Sequence, residues 1–348
     1  MSSMQEVLMT GKADRPIGIR DYIVKVLNGM ALGLFSSLII GLIIKQVANY
    51  AGFETAASFG QVAQYMMGPA IGAGVAYSVG ASPLGIFASM IAGAIGAGTV
   101  GLGGVAPTLH IGEPMGALIA SLFGAEISKL IRGRTKVDIV LVPAGTILAG
   151  GFAGVYAGPW IADFMYFLGN IINLATQLHP LPMGILVSAL MGIILTLPIS
   201  SAALAISLGL SGLAAGAATV GCSCQMIGFA VQSYRENGPG GLISQGLGTS
   251  MIQIPNIVKN PWIWLPPTLS SAILGPFATL LFRMENSKIG AGMGTSGLVG
   301  QFGTLAVMGT KAWPGIILLH FVFPALLTLL FSEYMRKKGL IKSGDMSL

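Results

Sequence analysis

Lysine and arginine are missing from two long stretches of this chain, residues 46–128 and residues 137–234. Between them lies a tight basic knot, Lys129, Arg132, Arg134 and Lys136. Charged residues make up only 9% of the sequence, against about 25% in an ordinary soluble domain. A soluble domain is excluded, because its water-facing surface needs charge. A cation at mid-bilayer costs about 2.5–3.5 kcal/mol, so a chain that withholds cations over such lengths is built for lipid. Cysteine is nearly absent as well. Cys222 and Cys224 are the only two, which excludes a disulfide framework. No second pair or nearby histidine completes a zinc site around them, and no metal is implied. Aspartate and glutamate number 12 and are scattered, which argues against a paired acid/base site. No phosphate-binding loop, zinc-protease helix or nucleophile elbow is present, and no cofactor is implied. The net charge of +6 sits at segment ends and termini, where the positive-inside rule places it. Nucleic acid is therefore not an expected partner.

What remains is apolar and rich in glycine, with 53% hydrophobic residues and 51 glycines. The length of 348 residues allows about eight to ten spans at about 20 residues each. The expected fold is an all-α, polytopic helical membrane protein with re-entrant or broken helices and an internal repeat. In a bilayer, abundant glycine means close helix packing and interrupted helices. Spans are expected at 28–48, 58–80, 83–103, 137–157, 182–198, 203–220, 262–282 and 313–333. Segments 105–131, 221–256 and 290–308 are apolar but interrupted by Gly, Pro or polar residues. Such backbone survives at membrane depth only inside protein or beside a wet cavity. The division is a cytoplasmic segment 1–24, a first membrane half 25–157, an external or interfacial connector 158–180, a second half 181–335 and a tail 336–348. Ile17 to Leu27 fits a surface helix, and 160–178, with Trp160, Phe164, Tyr166 and Phe167, fits an interfacial one. The basic knot and both termini are expected in the cytoplasm. Lys259 and Arg283 flank one span, and only one of them can obey the rule. The apolar run from Met30 to Ile44 has no small-residue cleavage site and is taken as a retained span.

The chain echoes itself. PAIGAGVAYSVG at 69–80 resembles PISSAALAISLG at 198–209, and each precedes a closer match, GAGTVG at 96–101 and GAATVG at 216–221. GLGTS at 246–250 pairs with GMGTS at 292–296. Duplication of this kind is common in secondary transporters, where solute lies between the repeats.

Five segments hold the candidate site residues. In TLHIGEPMG, at 108–116, His110 and Glu113 lie three apart in apolar surroundings. An intramembrane ionisable group is a functional candidate because it is expensive to keep. Pro114 biases Glu113 away from helix, which would turn its carboxylate toward a cavity. A carboxylate is suited to holding the hydroxyls of a sugar or polyol; it equally suits a helix N-terminus. In GCSCQMIGFAVQSYREN, Gln225 and Gln232 are seven apart and share a helix face, with Gln225 the candidate for the pathway. In SQGLGTSMIQIPNIVKNP, Asn256 stands among several polar side chains. Its partner segment GAGMGTSGLVGQFG supplies Thr295 and Ser296, whose Gly-Thr-Ser turn can offer N–H groups and hydroxyls. Ser200 and Ser201, after Pro198, fit the same description. Packing and hydrogen bonds between helices are the competing use for all of them. His179 and His320 are set aside, one in an external loop and the other beside aromatics in the last span.

Three long phrases carry a family resemblance: LPISSAALAISLGLSGLAAGAATVGCSCQMIGFAVQSYRENG, GLGTSMIQIPNIVKNPWIWLPPTLSSAILGPF and ENSKIGAGMGTSGLVGQFGT. The chain resembles the compact bacterial EIIC-like membrane proteins of the phosphotransferase system over roughly residues 25–335. That group includes toxin-gene regulators of the perfringolysin-regulator type. The resemblance implies a homodimer in the bacterial plasma membrane, with a scaffold part and a transport part that moves as an elevator. It also implies a Glu-Pro motif whose glutamate binds sugar hydroxyls, with a histidine elsewhere. Glu113-Pro114 is similar to that motif, and His110 stands where it could serve as the histidine. Two departures stand out. The larger permeases place Glu-Pro late in the chain, and their histidine is not three residues away. No IIA or IIB phosphorylation domain fits within the chain, so phosphate would have to come from separate IIA and IIB proteins.

The expected function is a permease for a small hydroxylated or carboxylated solute, not an enzyme in its own right. The alternative is a membrane-embedded sensor that binds solute and regulates genes through a partner. No DNA-reading helix is visible for it.

Overall fold

The computed structural model describes residues 18–101 and 106–348. Residues 1–17 of the expected cytoplasmic segment and the last two residues of the expected span 83–103 lie outside the described residues. The fold is all-α apart from one two-residue hairpin. Among the described residues, five helices are long and apolar enough to cross a membrane, and two shorter apolar helices, Pro83–Ala97 and Pro180–Thr196, accompany them.

The first half begins with α1 (Ile19–Leu34), which runs through a π-turn, Phe35–Ile39, into α2 (Ile40–Ala51). Gly52, at φ +73°, ends that rod in the left-handed geometry usual after a helix. The expected span 58–80 is instead two helices, α3 (Glu54–Tyr65) and α4 (Met67–Ser78), meeting at Met66. Helix α5 (Pro83–Ala97) starts with Pro83 in its first turn and the Ser82 hydroxyl accepting from Gly85 N at 3.2 Å. The chain then makes an antiparallel hairpin of β1 (Val100–Gly101) and β2 (Thr108–Leu109) before α6 (Pro114–Ile131).

Helix α7 (Asp138–Thr176) has 39 residues, or roughly 58 Å at about 1.5 Å each, against a hydrocarbon core of about 30 Å. The expected separate interfacial helix at 160–178 is thus mostly the continuation of α7. The helix carries on through Pro143 and Pro159. Its outer face, including Phe152, Tyr156, Trp160 and Tyr166, is exposed and suits contact with lipid.

The second half contains α8 (Pro180–Thr196), the short α9 (Ser201–Ser207) and α10 (Gly212–Gln232). Helix α10 continues to residue 232, farther than its glycines and polar residues suggested, because its side chains are almost all buried by neighbouring helices. Next come α11 (Tyr234–Ile243), broken at Gly238, a π-turn (Ser244–Gly248), a 3₁₀ turn (Ser250–Gln253) and α12 (Ile254–Lys259). Helices α13 (Leu265–Pro276), α14 (Val299–Met308) and α15 (Phe323–Lys337) complete the chain, with a further π-stretch at Ile316–Val322 leading into α15.

The helices gather into two bundles. Helices α4, α5, α6 and α7 pack together, with α1 against α4; α8, α10, α13 and α15 form the other group, and α7 touches α8. Small residues set the spacing. A Cβ on Gly96 would sit 2.3 Å from Gly116 O, and one on Gly116 would sit 2.1 Å from Gly96 O. A Cβ on Gly221 would sit 1.9 Å from Ser188 O. Helix backbones therefore touch directly at these crossings, as lipid-embedded bundles allow.

Several cations collect at one end. Arg20 donates to Val258 O at 3.3 Å and to Lys259 O, Lys129 donates to Val79 O at 3.2 Å, and Arg336 reaches Gln232 O at 3.0 Å and Glu236 at 2.9 Å. Tyr22 donates to Glu126, and Asn260 donates to Leu340 O, which join these contacts into one face. Lys259 thus shares the end of the basic knot. Arg283 follows α13 toward the opposite end, where Thr279 donates to Pro180 O at 2.7 Å.

The sequence echoes differ in conformation. GAGTVG at 96–101 leaves α5 and enters β1, while GAATVG at 216–221 is mid-helix in α10. GLGTS and GMGTS, in contrast, both interrupt α-helix, and they touch: Thr295 Oγ1 donates to Gly246 O at 2.5 Å.

Gly221→Leu is expected to cost about 3 kcal/mol or more, since the crossing helix meets it with backbone rather than a flexible side chain. Gly240→Ala, where a Cβ meets nothing within 4 Å, should stay within about 0.5 kcal/mol. Thermal unfolding in detergent checks both.

Candidate functional site

Four breaks in helical structure converge on one partly open cavity of about 350 Å³ between the two bundles. The first is the turn before α6. Gly112, at φ +84°, lies so close to the end of α5 that a Cβ would sit 2.4 Å from Ala97 O. Glu113 N donates to that same carbonyl at 2.9 Å. Glu113 is extended (φ −110°, ψ 120°), as its position before Pro114 requires. Gly112 and Pro114 line the cavity.

The second break separates α8 from α9. Glu113 Oε1 accepts from Ser200 N at 3.0 Å, a bond that joins the two bundles. Ser200 Oγ accepts from Ala203 N at 3.2 Å and caps α9. Ser201 Oγ donates to Gly292 O at 2.7 Å. Ser200 and Ser201 both line the cavity.

The third and fourth breaks are GLGTS and GMGTS. Thr249 comes from the first, followed by Met251 just after it, and Met293 and Ser296 come from the second; all four line the cavity. Thr295 is one layer behind, fully buried and bonded to Gly246 O. Two left-handed residues in succession, Gly297 at φ +51° and Leu298 at φ +60°, turn this segment into α14. The leucine is a strained position, held by the packing around it.

The remaining expected residues lie elsewhere. Gln225 is fully buried, accepts from Trp264 Nε1 at 3.1 Å and donates to Thr268 at 2.9 Å. Thr196 connects it to the cavity rim, reaching Gln225 Oε1 at 3.4 Å and Ser250 Oγ at 2.8 Å. Gln232 donates to Ile263 O at 2.9 Å, so both glutamines of α10 brace the 263–268 segment. His110 is exposed on the hairpin and pairs with Thr108 at 2.9 Å. Asn256 bonds to Gln253 and to Ser347 O in the tail, both at 2.9 Å, beside a different cavity. His320 is buried against Gln301 at 3.0 Å, away from the site.

Two polar cavity residues escaped the sequence analysis. Gln64 lines the cavity from α3, and its amide donates to Gly60 O at 3.4 Å. A glutamine inside an apolar span was the signal for it. Thr249 belongs to the GLGTS motif that sequence analysis did notice, but its neighbours drew the attention.

Broken helices meeting around one cavity, among helices long and apolar enough to cross a membrane, make this a polytopic helical membrane protein. Residues 24–348 match the family described as Phosphotransferase system, EIIC. The chain belongs to that family. None of the curated proteins compared with it matches.

Gln225→Leu removes the partner of a part-buried indole N–H and a hydroxyl. The expected loss is about 1–3 kcal/mol of stability, measured as a lower unfolding temperature in detergent.

Proposed function

We propose that this chain is a permease for a small hydroxylated solute such as a sugar, polyol or sugar acid, in the bacterial plasma membrane. One observation carries the proposal. The Glu113 carboxylate, held at a turn whose neighbours Gly112 and Pro114 line the cavity, stands beside the hydroxyl-bearing wall residues Ser200, Ser201, Thr249 and Ser296 of a partly open, mostly apolar cavity between two helix bundles. The volume falls in the range usual for small-ligand sites. Glu113 is the principal solute ligand, accepting from solute hydroxyls in place of Ser200 N. Ser200, Ser201 and Ser296 supply further contacts, and Gln225 and Thr295 hold the rim behind them. His110 joins the set only through movement of the hairpin, and Asn256 only through release of the tail.

The mechanism proposed is alternating access of the elevator type, one bundle sliding against the other. The Glu113–Ser200 bond joins the bundles directly, so a solute that takes over the carboxylate also loosens that joint. The functional unit is taken to be a homodimer, with separate IIA and IIB proteins supplying phosphate where transport is coupled to phosphorylation. The cation-rich end, which carries the C-terminal tail, faces the cytoplasm by the positive-inside rule.

Glu113→Gln keeps an acceptor for Ser200 N but removes the charge. Reconstituted into vesicles, it is expected to lose about 10- to 100-fold in solute uptake while the protein still assembles. Unchanged uptake would remove Glu113 from the site. Saturable binding by the unaltered protein without any flux would replace the permease with a sensor.

A further inference from the structure

Beyond α15 the chain does not trail into solvent. It reverses at Gly339, at φ +73°, and folds back beneath the second bundle. Side-chain amides from three other elements fasten it there. Asn260 Nδ2 donates to Leu340 O at 2.9 Å and to Asp345 at 2.7 Å. Asn237 and Gln253 both donate to Met346 O, at 2.8 Å and 3.0 Å, and Asn256 donates to Ser347 O at 2.9 Å. Leu348 N returns a bond to Asn237 Oδ1 at 2.9 Å. Met346 and Ile341 are buried against Phe229, Ile254, Ile257 and Ile263.

The segment so fastened cannot hold its own shape. Residues 249–260 consist of a 3₁₀ turn and the six-residue α12, which starts with Pro255 in its first turn. A helix of that length is far below the roughly 12–15 residues at which isolated helices become even marginal, so outside bonds must fix its conformation. The tail provides several of them, through Gln253, Asn256 and Asn260. Gln253 also donates to Gln245 Oε1 at 2.9 Å, and Gln245 to Ser233 at 2.8 Å, which extends the ladder to the end of α10. At its other end the same segment presents Thr249 and Met251 to the interior cavity. Tail and cavity wall are thus the two ends of one short, weakly self-supporting stretch. Apart from the Asn260–Asp345 bond, the tail contacts are neutral amide bonds and two buried apolar side chains, Ile341 and Met346, so release strands no charge in the interior.

We propose that residues 339–348 are a releasable strap that holds segment 249–260, and with it one wall of the cavity, in its packed position. Undocking the strap frees the segment and opens the cavity toward the cation-rich end. The proposal does not depend on what the cavity carries.

Hydrogen exchange on the full-length protein in detergent micelles tests it without any solute. Met346→Gln places an amide in the buried methionine pocket and is expected to release the tail. The amides of 254–260 should then exchange at least about 10-fold faster, while those of α5, α6 and α10 keep their protection. A cysteine introduced as Met251→Cys should react correspondingly faster with a water-soluble maleimide when combined with Met346→Gln. A tail whose amides exchange at unfolded-chain rates while 254–260 stays protected overturns the proposal. Should Met346→Gln unfold the whole protein, Asn237→Ala decides the matter. It removes the tail contacts to Met346 O and Leu348 N from outside the segment, leaves the methionine in place and should raise exchange across 254–260 by a smaller factor; no change there would also overturn the strap.

Discussion

Backbone that leaves the helix inside lipid must find all its hydrogen bonds within the protein, because no water stands ready to supply them. The interior of this molecule is arranged around that constraint. Ser200 N, freed where α8 ends, is met by the Glu113 carboxylate. Gly292 O, exposed in the GMGTS break, is met by the Ser201 hydroxyl. Gly246 O, in the GLGTS break, is met by Thr295. Asn286 Nδ2 serves the same role a little deeper, reaching Gly300 O at 2.9 Å and the hydroxyls of Thr219 and Thr304. Three of the four breaks are met by a polar side chain from another, and the fourth supplies Glu113, so the irregular segments have to lie together. Their meeting leaves the cavity.

Close helix packing makes this gathering possible. Where Gly96 faces Gly116, and Gly221 faces Ser188, the backbones of neighbouring helices are in direct contact. Rigid bundles built this way can hold the irregular segments at fixed positions. The segments themselves are short: seven residues for α9 and six for α12. Their conformations are imposed by the surrounding bundles, by the carboxylate at 113 and by the tail, not by helix propensity. A site made of imposed conformations can change when one of its props is withdrawn, which suits a protein that must open to one side and then the other.

The main features of the fold were legible in the sequence. The missing cations marked the lipid-facing regions, and the all-α character followed from the need to satisfy backbone within each span. The Gly-, Pro- and hydroxyl-rich stretches correctly marked most breaks, and those at 111–114, 200–201, 249–251 and 293–296 all border the cavity. Other boundaries were not legible. The 39-residue α7 looked like a span followed by an interfacial helix, because aromatic residues on its exposed face mimic an interface girdle. Helix α10 looked irregular after residue 220, because small polar residues that break an exposed helix are tolerated in one buried on every side.

Composition and spacing by themselves determined that this chain lives in a bilayer, that its helices are interrupted, and which polar residues sit at the interruptions. Those properties follow from local costs: a charge in lipid, a proline in a helix, a glycine at a crossing. Only the tertiary structure decided which interruptions face one another, that Gln64 belongs with the cavity, and that Asn256 clasps the tail. Such pairings join residues as far apart in the chain as Glu113 and Ser200, and they depend on how whole bundles dock, which no local pattern encodes.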